Sequence, residues 1–300
     1  MTQRIEMVEV SPRDGLQNEP GFFPTIDKIE LITRALVAGV RRIEVASFVH
    51  PGRVPQMADA EAVVAALPAR EAKDVTYIGL VLNKRGALRA LETQVHELGA
   101  VVSASDGFGK ANQGRTADET ADDAIEIIRL AREHGRSVQA TISVAFGCPF
   151  DGEIAPSRVA ELARKVAAAG PREIAIADTI GVGVPGQVKA VMAAVKAAAP
   201  GMPIRVHFHD TRNTAVANAW AAVESGATTI DASIGGIGGC PFAPNATGNV
   251  ASEDVQYMLQ RSGVETGIRL DGLIETAKWL SGKMGRTLPG LVSRAGGFPK

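Results

Sequence analysis

The tetrapeptide His207-Phe208-His209-Asp210 is where this chain first offers chemistry. It ends a short run, Ile204-Arg205-Val206, that reads as a strand. In a strand, side chains at i and i+2 leave the same face. His207 and His209 then point side by side into one space, and Phe208 points to the other side. Two neutral imidazoles held in parallel make half of a metal site. The same spacing also fits two unrelated histidines at a strand end, so the rest of the chain has to decide.

The elements that would position the pair come from hydrophobic period. Short β-branched runs alternate with Ala-rich segments of helical period. Strands are expected at 5–10, 42–46, 76–82, 100–104, 138–144, 173–177, 204–208 and 228–233. Helices are expected at 25–38, 55–67, 84–98, 117–134, 156–169, 185–199, 213–224 and 251–261. Pro156 and Pro185 suit first helical turns, and Gly39, Gly99, Gly135, Gly170 and Gly226 suit helix ends. Eight strand–helix units in a row predict an α/β fold, a (β/α)8 TIM barrel, with 263–300 as a short C-terminal helix (273–280) and tail on one catalytic domain. An open doubly wound sheet is the alternative. Its Gly-rich phosphate turn is missing, because the first turn is Ser11-Pro12-Arg13-Asp14-Gly15.

A barrel places chemistry at the C-terminal ends of its strands. Arg13 and Asp14 follow the first strand and Glu44 ends the second. Asp178 ends the sixth, His207 and His209 the seventh, and a Gly-rich loop over 235–249 follows the eighth. One carboxylate (Asp14), two imidazoles and an amide (Asn249) complete an octahedral site with waters. That mixed nitrogen and oxygen set suits Mg²⁺ or Mn²⁺ better than zinc.

The bulk numbers exclude several classes. A formal net charge of -1 gives no reason to expect nucleic acid or a membrane surface as partner. The start, MTQRIEMVEV, has no basic region followed by an apolar stretch, so no secretory signal is expected. Two cysteines, Cys148 and Cys240, make no disulfide framework, and a cytoplasmic setting is the expectation. His50, His96 and His134 read as ordinary surface residues, and Cys148 as structural.

The segments "VEVSPRDGLQNEP", "IEVASF", "PQMAD", "SVAFGCPFDG", "ADTIGVGVPG", "HFHDT" and "GGIGGCPFAPNATGN" resemble, in order and over nearly the whole chain, the 3-hydroxy-3-methylglutaryl-CoA lyase family of metal-dependent TIM-barrel lyases. The resemblance implies a retro-Claisen cleavage to acetyl-CoA and acetoacetate, with an acyl-CoA as substrate and a divalent metal as cofactor. It implies Asp14, His207, His209 and Asn249 as metal ligands and Arg13 as the group that stabilises the enolate oxygen. Cys240 would serve proton transfer, Glu44 and Asp178 would be acids of the pocket, and Asn112 would lie near the acyl-CoA entrance. Two departures bear on substrate. Arg212-Asn213 replaces an aromatic and a glycine after His209-Asp210-Thr211, and Pro20 stands where a basic residue is common. Arg212 is therefore expected to contact an anionic part of substrate or CoA. A lyase for a different hydroxyacyl-CoA, a Claisen-type synthase and an aldolase of the same superfamily stay as alternatives, as does a metal-binding scaffold with no activity. Self-association into a homo-oligomer is left open.

Overall fold

Eight parallel strands close into a barrel in strict sequence order, each paired with its neighbours and the eighth with the first. The computed structural model describes residues 3–68, 74–239 and 248–299. The strands are β1 (Glu6–Glu9), β2 (Arg42–Ser47), β3 (Thr76–Val81), β4 (Glu97–Ser103), β5 (Ser137–Ser143), β6 (Glu173–Asp178), β7 (Ile204–Phe208) and β8 (Thr229–Ala232). Helices α1 (Thr25–Ala38), α2 (Ala60–Ala65), α3 (Lys84–Leu91), α4 (Asp106–Gln113), α5 (Ala117–Glu133), α6 (Pro156–Ala167), α7 (Pro185–Ala198), α8 (Ala215–Glu224) and α9 (Ser252–Arg261) alternate with them. This is the (β/α)8 architecture that the alternation predicts. Two further helices follow, α10 (Leu270–Met284) and α11 (Val292–Ala295), and α10 packs on α1. Among the described residues no helix is long and apolar enough to cross a membrane.

The main apolar core lies between sheet and helices. In α1, Leu31, Ile32, Ala35 and Ala38 form the buried stripe that helical period demands. Leu31 and Ile32 contribute roughly 1.5–3 kcal/mol each when fully buried, and the alanine methyls less. Gly39 ends the helix at φ 107, where a Cβ would sit 2.8 Å from the carbonyl oxygen of Gly267.

Inside the barrel the filling is different. Val8, Val10 and Ile78 form a small separate cluster. Below the strand tops, at the N-terminal ends, lies an ionic layer. Arg42, 1% exposed, meets Glu97 and Glu173, the latter at 2.6 Å, and reaches Glu6 at 3.0 Å. Burial opposes its charge, but Glu97 and Glu173 overcome that and raise its pKa. Arg205 stands beside this layer, its Nη1 3.7 Å from Glu173.

That layer corrects the expectation for β4. The strand begins at Glu97 rather than at 100, and α3 ends at Leu91 rather than at 98. Glu97 is needed inside the barrel as partner of Arg42. Gly99, expected at a helix end, is instead a strand residue, where a Cβ would come 2.7 Å from Gln139 Nε2. The segment expected as one helix over 55–67 is a 3₁₀ turn, Pro55–Met57, followed by α2. Helix α4 was not anticipated.

Candidate metal and acyl-CoA site

The turn after β1 is a π-helical turn, Ser11–Gly15, closed by the Gly15 amide on the Val10 carbonyl at 3.1 Å. Such turns are rare and concentrate at functional sites. Glu9 anchors it by accepting the amides of Ser11 (2.8 Å) and Ile234 (2.9 Å). Gly15 is required there, since a Cβ would sit 2.8 Å from Ile237 Cγ1 and 2.9 Å from Ser233 Oγ. The turn delivers Arg13 and Asp14 to the barrel mouth. Arg13 bridges Asp14 and Glu44, each at 2.6 Å.

His207 and His209 leave the same face of β7 and its continuation, with ring centroids 5.2 Å apart. Their Nε2 atoms each lie 3.8 Å from Asp14 Oδ2, too long for a hydrogen bond. Asn249 arrives from the far end of the Gly-rich loop. An antiparallel bridge to His209 fixes its backbone, flanked by bonds from the Asp210 amide to Gly248 and from Val250 to Phe208. Its Nδ2 donates to Asp14 Oδ2 at 2.8 Å and to the Ile237 carbonyl at 3.0 Å. That leaves Asn249 Oδ1 buried with no hydrogen-bond partner.

These groups fit a divalent cation. Asp14, His207 and His209 offer ligating atoms within 4.8 Å of one another. The buried Oδ1 of Asn249 has no hydrogen-bond partner, so a further oxygen donor is available beside them. Electrostatics agree. Burial alone would raise the Asp14 pKa, but Arg13 and then the two histidines hold its carboxyl well below the usual range. Burial, with His207 adding to it, pushes His209 down to about 4, so its imidazole is neutral and free to ligate. Burial opposes the charge of His207, but the hydrogen bond it gives to Asp231 and the charge of Asp14 raise its pKa.

A cavity of about 1190 Å³ opens over this cluster. Arg13, Asp14, Glu44, His207 and His209 all line it. On the loops and helices beyond β2, β3 and β4 it is walled by Arg53, Arg85, Asn112 and Arg115. Asn112 thus lies in the cavity wall. So does His50, read from sequence as an ordinary surface residue.

The structure places two of the expected site residues away from the cavity wall. Asp178 is almost fully buried, but Ala177 and Thr179, not Asp178, line the cavity. Strand alternation turns Asp178 outward, where its carboxylate accepts the amides of Val182 (3.0 Å) and Gly183 (2.8 Å). It anchors the loop after β6. Arg212 is exposed, is not part of the cavity wall, and donates to the carbonyls of Gly181 (2.8 Å) and Ile180 (3.3 Å). Cys240 lies outside the described residues; Gly239, which precedes it, lines the cavity. Cys148 is buried after β5, its sulfur 2.9 Å from Ser105 Oγ.

One residue of this cluster escaped the sequence reading. Asp231, on β8, lies 3.1 Å from His207 Nδ1 and also accepts from Arg205 Nε. The signal was an acid in the middle of an otherwise apolar strand, Thr229–Ala232, at an inward position.

The chain resembles known proteins over nearly its whole length. It is 44% identical to the (R)-citramalyl-CoA lyase of Chloroflexus aurantiacus, over 98% of this chain and 95% of that protein. It is 39% identical to the hydroxymethylglutaryl-CoA lyase YngG of Bacillus subtilis, over 96% and 95%. A structure of an HMG-CoA lyase from Acinetobacter baumannii in complex with coenzyme A and 3-methylmalate superposes with a TM-score of 0.93 at 38% identity, covering 99% of this chain and 96% of that one. Residues 4–280 match the HMGL-like family model, and the chain belongs to the HMGL-like family.

Proposed function

We propose that this chain is a carbon–carbon lyase that holds Mg²⁺ or Mn²⁺ and splits 3-hydroxy-3-methylglutaryl-CoA into acetyl-CoA and acetoacetate. The observation that carries the reading is the convergence of Asp14, His207 and His209 beside the partnerless Oδ1 of Asn249, with Arg13 at their edge. Asp14, His207, His209 and Asn249 would hold the cation. When bound, it supplies Lewis acidity and a template for the substrate's tertiary hydroxyl.

The chain's own residues supply the rest. Arg13 is held from two sides, by Asp14 and Glu44, so its guanidinium needs no reorganisation when charge builds on the thioester oxygen. Among the acids that line the cavity at this cluster, Asp14 and Asp231 are kept ionised by their partners. Burial instead raises the pKa of Glu44, against the pull of Arg13 and Arg205. Glu44 is therefore the better base for the hydroxyl proton. The enolate carbon left after cleavage needs a proton, and the thiol of Cys240 is the donor we assign. Arg53, Arg85 and Arg115 give the cavity wall a cationic side that suits the phosphates of CoA. The relative bound to coenzyme A supports an acyl-CoA occupant for this cavity.

A second reading is favoured by the 44% identical citramalyl-CoA lyase. Citramalyl-CoA lacks one methylene between carbinol and carboxylate, and the same bond cleavage then releases pyruvate. One methylene commonly carries only about 1–3 kcal/mol of discrimination, so the two thioesters must be compared directly. The test is acetyl-CoA release from each, with Mn²⁺ and with chelator, and identification of the keto acid. Acetoacetate formation at the higher kcat/KM supports the first reading, and pyruvate formation at the higher value replaces it with the second. No release from either thioester, with any metal, removes both.

A further inference from the structure

The two histidines of the candidate metal site are not equivalent. His209 Nδ1 is buried with no hydrogen-bond partner. His207 Nδ1 faces Asp231 Oδ2 at 3.1 Å, and the other oxygen of Asp231 accepts from Arg205 Nε. Arg205 is 1% exposed and sits two residues before His207, on the same face of β7. Its far side approaches Glu173, which belongs to the ionic layer around Arg42. A continuous line of side chains therefore runs from the barrel floor to one metal-facing imidazole.

We propose that Asp231 and Arg205 are positioning residues for His207. Asp231 accepts a proton-bearing Nδ1, which fixes the ring and leaves the Nε2 lone pair pointed at the space beside Asp14. A carboxylate behind a ligating imidazole also increases its donor strength. Arg205 holds the Asp231 carboxylate at the orientation His207 needs and ties it to a rigid part of the barrel. The inference rests on the metal reading above and goes beyond it, because it assigns the ligand geometry of one histidine to two residues that are not among the four that would hold the cation.

The test is Mn²⁺ affinity, read as free Mn²⁺ by electron paramagnetic resonance on the full chain without substrate. Asp231→Asn is expected to weaken binding about 10–100-fold, the range seen when such outer partners are lost. Arg205→Met is expected to weaken it roughly tenfold, and Arg205→Lys, which keeps a donor for Asp231, to recover to within about threefold of the unmodified protein. Lys28→Met, which removes a buried cation paired with Asp59 that shares no partner with this line, serves as control and should leave Mn²⁺ affinity within about twofold. If Asp231→Asn does not fold, the contrast between Arg205→Met and Arg205→Lys carries the test. Equal affinity in all folded variants overturns the proposal, as does a loss in Lys28→Met as large as in Arg205→Met. A protein that binds no Mn²⁺ before any substitution overturns the metal reading itself, which is a distinguishable failure.

Discussion

The barrel interior holds two clusters of ionisable side chains, one above the other, built from similar residue types. In the lower one, Arg42, Glu97 and Glu173 close on each other within ion-pair distance. In the upper one, Arg13, Asp14 and Glu44 are paired, but both histidine Nε2 atoms stand 3.8 Å off Asp14, and Asn249 Oδ1 has no partner. The lower cluster is closed by ion pairs within the chain, whereas the upper one leaves potential ligating atoms facing the cavity. Charge and burial are common to both. Buried atoms without a hydrogen bond occur in both, Arg42 Nε and Glu173 Oε1 below and Asn249 Oδ1 above; what separates them is that the upper cluster brings a carboxylate and two imidazoles together at the wall of a cavity.

Substitutions can break that comparison. Arg13→Met should have the largest effect on turnover, a fall in kcat of about 10²–10³-fold, because a preorganised charge at the developing oxyanion is lost. Steady-state kinetics at saturating metal checks it, and a loss confined to KM would remove Arg13 from the chemistry. Arg42→Met should act on the other observable. Leaving Glu97 and Glu173 buried without their cation should cost about 3–5 kcal/mol of stability in denaturant titrations, with kcat of the folded fraction unchanged.

A third buried acid sharpens the contrast. Glu253 accepts the Gly235 amide at 3.0 Å, its Oε1 has no hydrogen-bond partner, and burial pushes its pKa up to about 8. An acid whose folded pKa lies above its unfolded value of 4.5 binds more protons when folded. Stability should therefore decline as pH rises from about 4.5 through about 8, and Glu253→Gln should flatten that slope. Denaturant midpoints across this range decide it, and parallel curves for both proteins would contradict the assignment. Arg212→Ala should do least, with kcat and KM within about twofold, since the guanidinium serves loop carbonyls outside the cavity. A large rise in KM would return Arg212 to the substrate.

Much of this was legible in the sequence. The period-2 runs marked the eight strands, and the positions of Asp14 and the histidine pair at strand ends marked the rim. What failed did so for physical reasons. Asp178 and Thr179 are adjacent, and sequence proximity to the rim said nothing about which one faces inward; alternation from Ala177 did. Glu97 read as the end of a helix because its partner, Arg42, is 55 residues away. Asp231 went unnoticed because an acid inside an apolar strand has meaning only once β7 and β8 stand side by side. Asn249 was legible by its type, but its orphaned oxygen exists only in three dimensions.

The claim that the upper cluster awaits a cation is tested most directly by acetyl-CoA release from 3-hydroxy-3-methylglutaryl-CoA by the purified chain, before and after chelation. Release is expected with Mn²⁺ or Mg²⁺, to be lost on chelation and to return when metal is restored. Release that chelator leaves untouched would contradict it.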